Sequence, residues 1–182
     1  LLLFLLLGAA AGGSTWFAQR LQLREEATEK ADAGEVDYFS IHIRRVSFGE
    51  DGQPKNQLIA PILTHYAGDD HTELKDPVLT VYSKGGPPWV ITGEHGTLLK
   101  EGEVRLDGPV LIQREADREK RSVRVVTRNI SVYPQRNYAE TAEHVEVVSE
   151  PDYLRGDGAQ VHFGEVLQVT ILSNVFRKHD VQ

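Results

Sequence analysis

The sequence predicts an all-β fold, an open antiparallel β-jelly-roll, preceded by one transmembrane α-helix. Three observations carry that expectation. Residues 1–18 are apolar and uncharged, period-two alternation begins after Asp37, and a weak unit recurs from there toward the C-terminus.

The run from Leu1 to Ala18 reads LLLFLLLGAAAGGSTWFA. As a helix rising about 1.5 Å per residue it would span roughly 27 Å, close to the roughly 30 Å of a hydrocarbon core. Trp16 and Phe17 fall where aromatic side chains anchor at a membrane interface, and Arg20 and Arg24 follow in water. The competing reading is a cleaved signal peptide, for which Ala9, Ala10 and Ala11 offer a small-residue site. The length of the span favours a retained anchor over residues 1–20. Gly8, Gly12 and Gly13 would let a second membrane helix approach closely. From Glu25 to Asp37 six acids stand against one lysine without apolar periodicity, so residues 21–37 are expected to form a polar linker.

The remainder, residues 38–182, is long enough for one domain, and 40% hydrophobic with 26% charged residues across the 182-residue chain suits a folded core. A net charge of -7 argues against nucleic acid as a partner, because phosphate backbones are bound by clustered Lys and Arg. There is no cysteine, which removes disulfides and thiolate metal sites.

Alternation puts Phe39, Ile41 and Ile43 on one strand face, and Val104, Leu106, Val110 and Ile112 on another with Asp107-Gly108-Pro109 between them. Turn signals divide the runs at Gly49–Gly52, Gly68–Asp70, Lys84–Pro88, Lys100–Gly102 and Gly156–Gly158. Val78, Val110, Val145 and Val175 recur at spacings of 32, 35 and 30 residues, each preceded 18 positions earlier by the start of a matching run at Ala60, Thr92, Thr127 or Asp157. Large residues, Tyr66, Leu98, Tyr133 and Phe163, stand six positions into those runs. Each unit reads as a strand, a tight turn and a strand ending near the valine. Such units stack because one alone cannot bury its apolar face. The expected product is a folded-over, taco-like sheet, not a closed barrel, with edge strands at both ends available for pairing.

Leu58-Ile59-Ala60, then Leu74-Lys75-Asp76-Pro77-Val78-Leu79-Thr80-Val81-Tyr82, then Pro88-Trp89-Val90-Ile91-Thr92 resemble the signature region of the LptC family. Leu98-Leu99 followed by Val104-Arg105-Leu106-Asp107-Gly108-Pro109-Val110 is similar to the strand pair that this family shares with LptA/OstA-like jelly rolls. The resemblance covers roughly residues 36 to 178. The later units, Ala142-Glu143-His144-Val145 and Leu172-Ser173-Asn174-Val175, lack the glycine seen at Gly108.

The resemblance implies a single-pass inner-membrane protein with its C-terminal domain in the periplasm of a Gram-negative bacterium. It further implies that lipopolysaccharide is received from an ABC transporter of LptB, LptF and LptG and passed to LptA by edge-strand pairing, the C-terminal strand near Val169 to Phe176 being offered to LptA. The fold alone suggests how: an apolar inner face that is not sealed along one side shields acyl chains while the sugar stays in water, at about 0.8 kcal/mol per buried methylene. The expected lipid-facing residues are Phe39, Ile41, Ile43, Leu74, Val78, Leu106, Ile112, Tyr133, Val147, Phe163, Val169, Ile171 and Phe176. For any one of these, ordinary core is the competing reading. A purely structural β-scaffold between membrane complex and periplasmic partner is the alternative for the whole domain.

No enzymatic activity, cofactor or metal is expected. There is no phosphate-binding glycine loop and no nucleophile elbow, and His65 and His71 are six residues apart across a turn, unlike paired ligands on one face. The basic run Arg114, Arg118, Lys120, Arg121, Arg124 and Arg128 would meet lipid phosphates, but Glu115, Asp117 and Glu119 interleave with it, which favours a solvated hairpin loop.

Overall fold

Alternating apolar residues do form strands throughout the described region. The computed structural model describes residues 36–68, 70–83, 86–163 and 168–179. The helix expected over residues 1–20 and the linker as far as residue 35 lie outside them; among the described residues no helix is long and apolar enough to cross a membrane. Ten strands follow in order: β1 (Val36–Phe48), β2 (Pro54–Tyr66), β3 (His71–Lys75), β4 (Val78–Val81), β5 (Trp89–Leu98), β6 (Val104–Arg114), β7 (Val123–Tyr133), β8 (Tyr138–Ser149), β9 (Asp152–His162) and β10 (Gln168–His179). A single turn of 3-10 helix, Pro134–Arg136, joins β7 to β8.

The strands make one antiparallel sheet in the order β1-β2-β3-β5-β6-β7-β8-β9-β10, and β4 pairs with the same neighbours as β3, namely β2 and β5. β3 and β4 are two halves of one broken strand, interrupted at Asp76-Pro77 where proline supplies no ladder N–H. Nearly every other strand carries a break in the same lateral position. Left-handed residues stand there in His42 (φ 55), Asp76 (φ 46), Gly108 (φ 80), Asn129 (φ 45), Gly158 (φ 69) and Asn174 (φ 52). Register shifts occur beside them at Gly93/His95, Leu106/Pro109, Val126/Ser131, Thr141/His144 and Ser173/Phe176. Asn and Asp tolerate this backbone because their short polar side chains bond locally, and glycine has no Cβ to clash.

Side chains replace the ladder bonds lost along this line. Gly108 N donates to Asn129 Oδ1 at 2.9 Å, and Asn129 Nδ2 donates to Glu143 Oε1 at 2.8 Å. Thr141 Oγ1 donates to the Arg128 carbonyl and Thr127 Oγ1 to that of His144, both at 2.9 Å. Asp157 accepts from Asn174 Nδ2 at 2.6 Å and hydrogen-bonds His144 Nδ1 at 2.7 Å. Asp76 N donates to the Glu94 carbonyl at 2.8 Å. A polar seam thus crosses the sheet from strand to strand.

At the seam most strands change the face they bury. On β2 the buried positions run Leu58, Ala60, then Leu63; on β7 they run Val123, Val125, Thr127, then Ile130, Val132. On β7 bulges that insert one residue accompany this change of parity and a sharp local bend, whereas β2 changes face with its register unbroken there. The sheet is therefore creased into two leaves, one containing β3 and the other β4, whose inner faces share a single core built from Leu58, Leu63, Leu79, Ile91, Leu106, Ile112, Ile130 and Val132, all at most 5% exposed.

The structure corrects two readings of the sequence. The recurring valines do not end strands: Val110, Val145 and Val175 lie inside β6, β8 and β10, and Val78 resumes the broken one, so the repeat marks the crease. Gly156-Asp157-Gly158 is not a turn between strands but the crease inside β9. The glycine at position 156 is required by proximity, because a Cβ there would meet Ile171 Cγ2 and lie 2.7 Å from the Ser173 carbonyl oxygen on β10. Gly156→Ala is expected to cost about 1–3 kcal/mol by overpacking, read as a lowered urea midpoint with hydrogen exchange on β10 accelerated before that on β6.

Candidate functional site

The space between the two leaves is the concave feature that the fold creates. Its middle is filled. Trp89, at the start of β5 on the β4 leaf, is fully buried and lies 5.8 Å from the ring of Phe163, which follows β9 on the β3 leaf. The Arg114 guanidinium stacks over Trp89 at 4.7 Å, and Phe163 N donates to the Asn137 carbonyl at 2.8 Å. The Trp89–Phe163 contact joins the leaves, and Arg114 stacks on Trp89 within the β4 leaf.

The interleaf space opens on either side of that plug. Toward the β10 edge lies a cavity of about 570 Å³ walled by Val123, Val147, Leu154 and Val169, with Arg114, Lys120, Arg121 and Arg177 around it. Toward the β1 edge a smaller one of about 280 Å³ is lined by Ile43, Leu58, Leu63, Leu98 and Leu99 together with Tyr38, Arg45, His65, Asp70, Thr72 and Lys100. A third hollow of about 800 Å³ lies below the β1–β2 turn, against Tyr82 and Phe163. The first and the third fall in the range of roughly 300–1,000 Å³ typical of ligand sites.

The sequence-predicted lipid-facing residues divide into three groups. Leu74, Leu106, Ile112 and Phe163 are buried in the shared core. Ile43, Val147, Val169 and Ile171 are half-buried against it, with Val147 and Val169 on the β10-side cavity and Ile43 on the β1-side one; Val78 and Tyr133 are also half-buried. Phe39, Ile41 and Phe176 are exposed, at 71%, 64% and 47%. Phe39 and Ile41 do not share a face with Ile43, because the left-handed His42 intervenes: Ile41 pairs with exposed Ile62, whereas Ile43 pairs with buried Ala60. Phe176 pairs with Arg155, while its neighbour Arg177 pairs with Leu154 and borders the cavity. Sequence reasoning passed over Trp89, Ile91, Val123 and Leu154. Alternation in Val123-Arg124-Val125 was the available signal for Val123, whereas Trp89-Val90-Ile91 is apolar throughout and does not say which face is inward.

Both lateral edges of the sheet are unpaired among the described residues, being β1 on one side and β10 on the other. Each exposes apolar side chains, Val36, Tyr38, Phe39, Ile41 and Phe48 on β1, and Leu172, Val175 and Phe176 on β10. Such edges offer a template for strand addition.

These features have counterparts among known proteins. The sequence matches the family "Lipopolysaccharide-assembly, LptC-related" over residues 1–175. The chain belongs to the LptC family. Among solved structures, the LptH protein of Pseudomonas aeruginosa, described as the LptA-homologous periplasmic component of the lipopolysaccharide transport device, has the same kind of fold. It aligns with a TM-score of 0.52 at 14% identity, over 69% of this chain and 95% of its own. No curated protein sequence matches. Membership of the LptC family agrees with the resemblance read from the sequence, and the LptH likeness gives the creased sheet a precedent.

In this LptC-family domain one carboxylate ties the end of β10 to the loop between β6 and β7. Asp152 bonds His179 Nδ1 at 2.8 Å and Arg177 Nη2 at 3.3 Å, and pairs with Arg121 Nη2 at 3.1 Å. These contacts, that of His179 foremost and Arg177 next, hold its pKa down to about 2. An unfolded Asp titrates near about 4, so the contribution of Asp152 is complete above that pH and is lost as the pH falls through about 2. Hydrogen exchange on β10 is expected to accelerate as the pH falls from about 4 to 2 beyond the intrinsic pH dependence, and Asp152→Asn should remove that extra acceleration while loosening β10 at neutral pH.

Proposed function

We propose that this domain carries lipopolysaccharide, taking the acyl chains between its two leaves, and that it does so as a non-enzymatic link in transport. The observation that supports this most directly is the pair of partly apolar cavities between the leaves, open toward the two unpaired sheet edges, in a chain of the LptC family. Transfer of an amphiphile between proteins needs no bond making, only a sequence of similar apolar surfaces. Each inserted methylene gains about 0.8 kcal/mol.

On this reading the lipid is received from the inner-membrane ABC transporter formed by LptB, LptF and LptG, and β10 is the edge to which LptA adds. An apolar helix over residues 1–20 would tether the domain at the inner membrane, with the sheet in the periplasm. The neighbour LptH, itself an LptA homologue of the transport device, supports the idea that such folds act in series. Lipid entering the middle would displace the Trp89–Phe163 contact, so the filled state is the resting form and loading parts the leaves.

One observation favours a second reading. The centre of the interleaf space is tightly packed, with Trp89, Ile91, Ile112 and Val132 at 0% exposure, as expected of a scaffold with a dry core. Photo-crosslinking probes placed singly at Ile43, Val147 and Val169, with outward-facing Val126 as control, separate the two. Labelling of the inner positions by lipopolysaccharide that rises with ATP in a reconstituted transporter is the expected result. An assembled, folded protein that labels nowhere inside would make the scaffold reading the correct one.

A further inference from the structure

The basic run that the sequence interleaves with acids does not all end in a solvated loop. Arg114 is only 7% exposed and borders the β10-side cavity. Its Nη2 donates to the Arg121 carbonyl at 3.2 Å, its plane rests on Trp89, and its Nε has no acceptor. Trp89 Nε1, in the ring beneath it, is likewise a buried donor without an acceptor. No carboxylate lies within ion-pair distance of Arg114 among the described residues. Asp117 senses the charges of Lys120 and then Arg114, but the backbone N–H groups of Glu119 and Lys120 come first in holding that carboxylate down. A cation as buried as Arg114 ordinarily has a counter-charge, since desolvating it alone is costly.

The surroundings reinforce the imbalance. Arg114, Arg121 and Arg177 line the cavity with Asp152 as the carboxylate among its lining residues, while Lys120, also at its rim, acts on Asp117, in a chain whose net charge is -7. Arg121 and Arg177 share the Asp152 carboxylate, leaving the charge of Arg114 uncompensated by it. The apolar wall lies directly beside this mouth. What the mouth lacks is an anionic acceptor, and what the wall would take is hydrocarbon.

We propose that the β10-side mouth is a phosphate subsite centred on Arg114, which holds a phosphate of the transported lipid while its acyl chains lie against the apolar wall. This rests on the lipid-carrier reading above and adds where the headgroup is held and by what. Arginine suits such a role because its fork presents parallel N–H donors to phosphate oxygens, and stacking on Trp89 holds its plane before the ligand arrives.

Binding of two lipids to the full chain tests this, namely bis-phosphorylated lipid A and the same acylated disaccharide with both phosphates removed. The intact protein is expected to bind the phosphorylated form at least about tenfold more tightly. Arg114→Gln should erase most of that preference, read as the ratio of the two affinities. Equal affinity of the intact protein for both lipids would overturn the subsite while leaving the groove in place; binding of neither would sink the carrier reading itself. Inorganic phosphate is the third probe, and its capture as tightly as the lipid, with the same dependence on Arg114, would assign the site to soluble phosphate instead. Should Arg114→Gln lose its circular dichroism signature, Arg114→Lys, which keeps the charge but not the fork, should show an intermediate loss. A 31P shift of the bound lipid in the intact protein, absent in Arg114→Gln, reads the same contact without an affinity.

Discussion

Everything in this domain depends on a line of residues that ordinary strands avoid. A wide antiparallel sheet with one apolar face would need a second layer to cover it, and among the described residues there is none. The solution is to bend nearly every strand at the same lateral position, so that the sheet covers itself. Left-handed backbone at His42, Asp76, Gly108, Asn129, Gly158 and Asn174 makes the bend, at a cost of about 1 kcal/mol or more for each residue with a Cβ. The seam of Asn, Asp, Thr and His side chains offsets part of that cost by accepting and donating where ladder bonds are missing.

The crease also determines where openings can exist. Leaves that meet along one line diverge away from it, and the largest side chains, Trp89 and Phe163, bridge the gap between them. On either side of that bridge smaller residues such as Val147, Val169 and Ile43 leave space. Interior volume and unpaired edges are thus two products of one bend. A barrel of the same strands would have hidden both.

Much of this was legible in the sequence, and the parts that were not share a cause. Alternation located Val104, Leu106, Val110 and Ile112 on one face correctly, because the crease at Gly108 leaves parity unchanged there. It failed at Phe39 and Ile41, because a left-handed histidine carries no signature in hydropathy and reverses the face without warning. The recurring valines were a true signal of the crease, misread as strand ends because Pro77 and Gly108-Pro109, beside two of them, resemble turns. The stack of Arg114 on Trp89 and the contact of Trp89 with Phe163 join residues 25 and 74 positions apart in sequence, a separation over which local pattern carries no information.

The open edges have a consequence for size. In a barrel, strand number, tilt and shear must agree for the sheet to close, so adding or losing a hairpin alters the radius of the whole. A sheet that folds across its strands has no closure condition. Each hairpin brings two bends 18 residues apart, one per strand, as Thr92 to Val110 illustrates, and contributes the same increment to both leaves. Length along the gutter is then a free variable: a chain can be extended or shortened by whole hairpins at either margin while the cross-section stays constant. Architectures with that property grow by addition, whether the next hairpin is encoded in the same gene or arrives on another polypeptide.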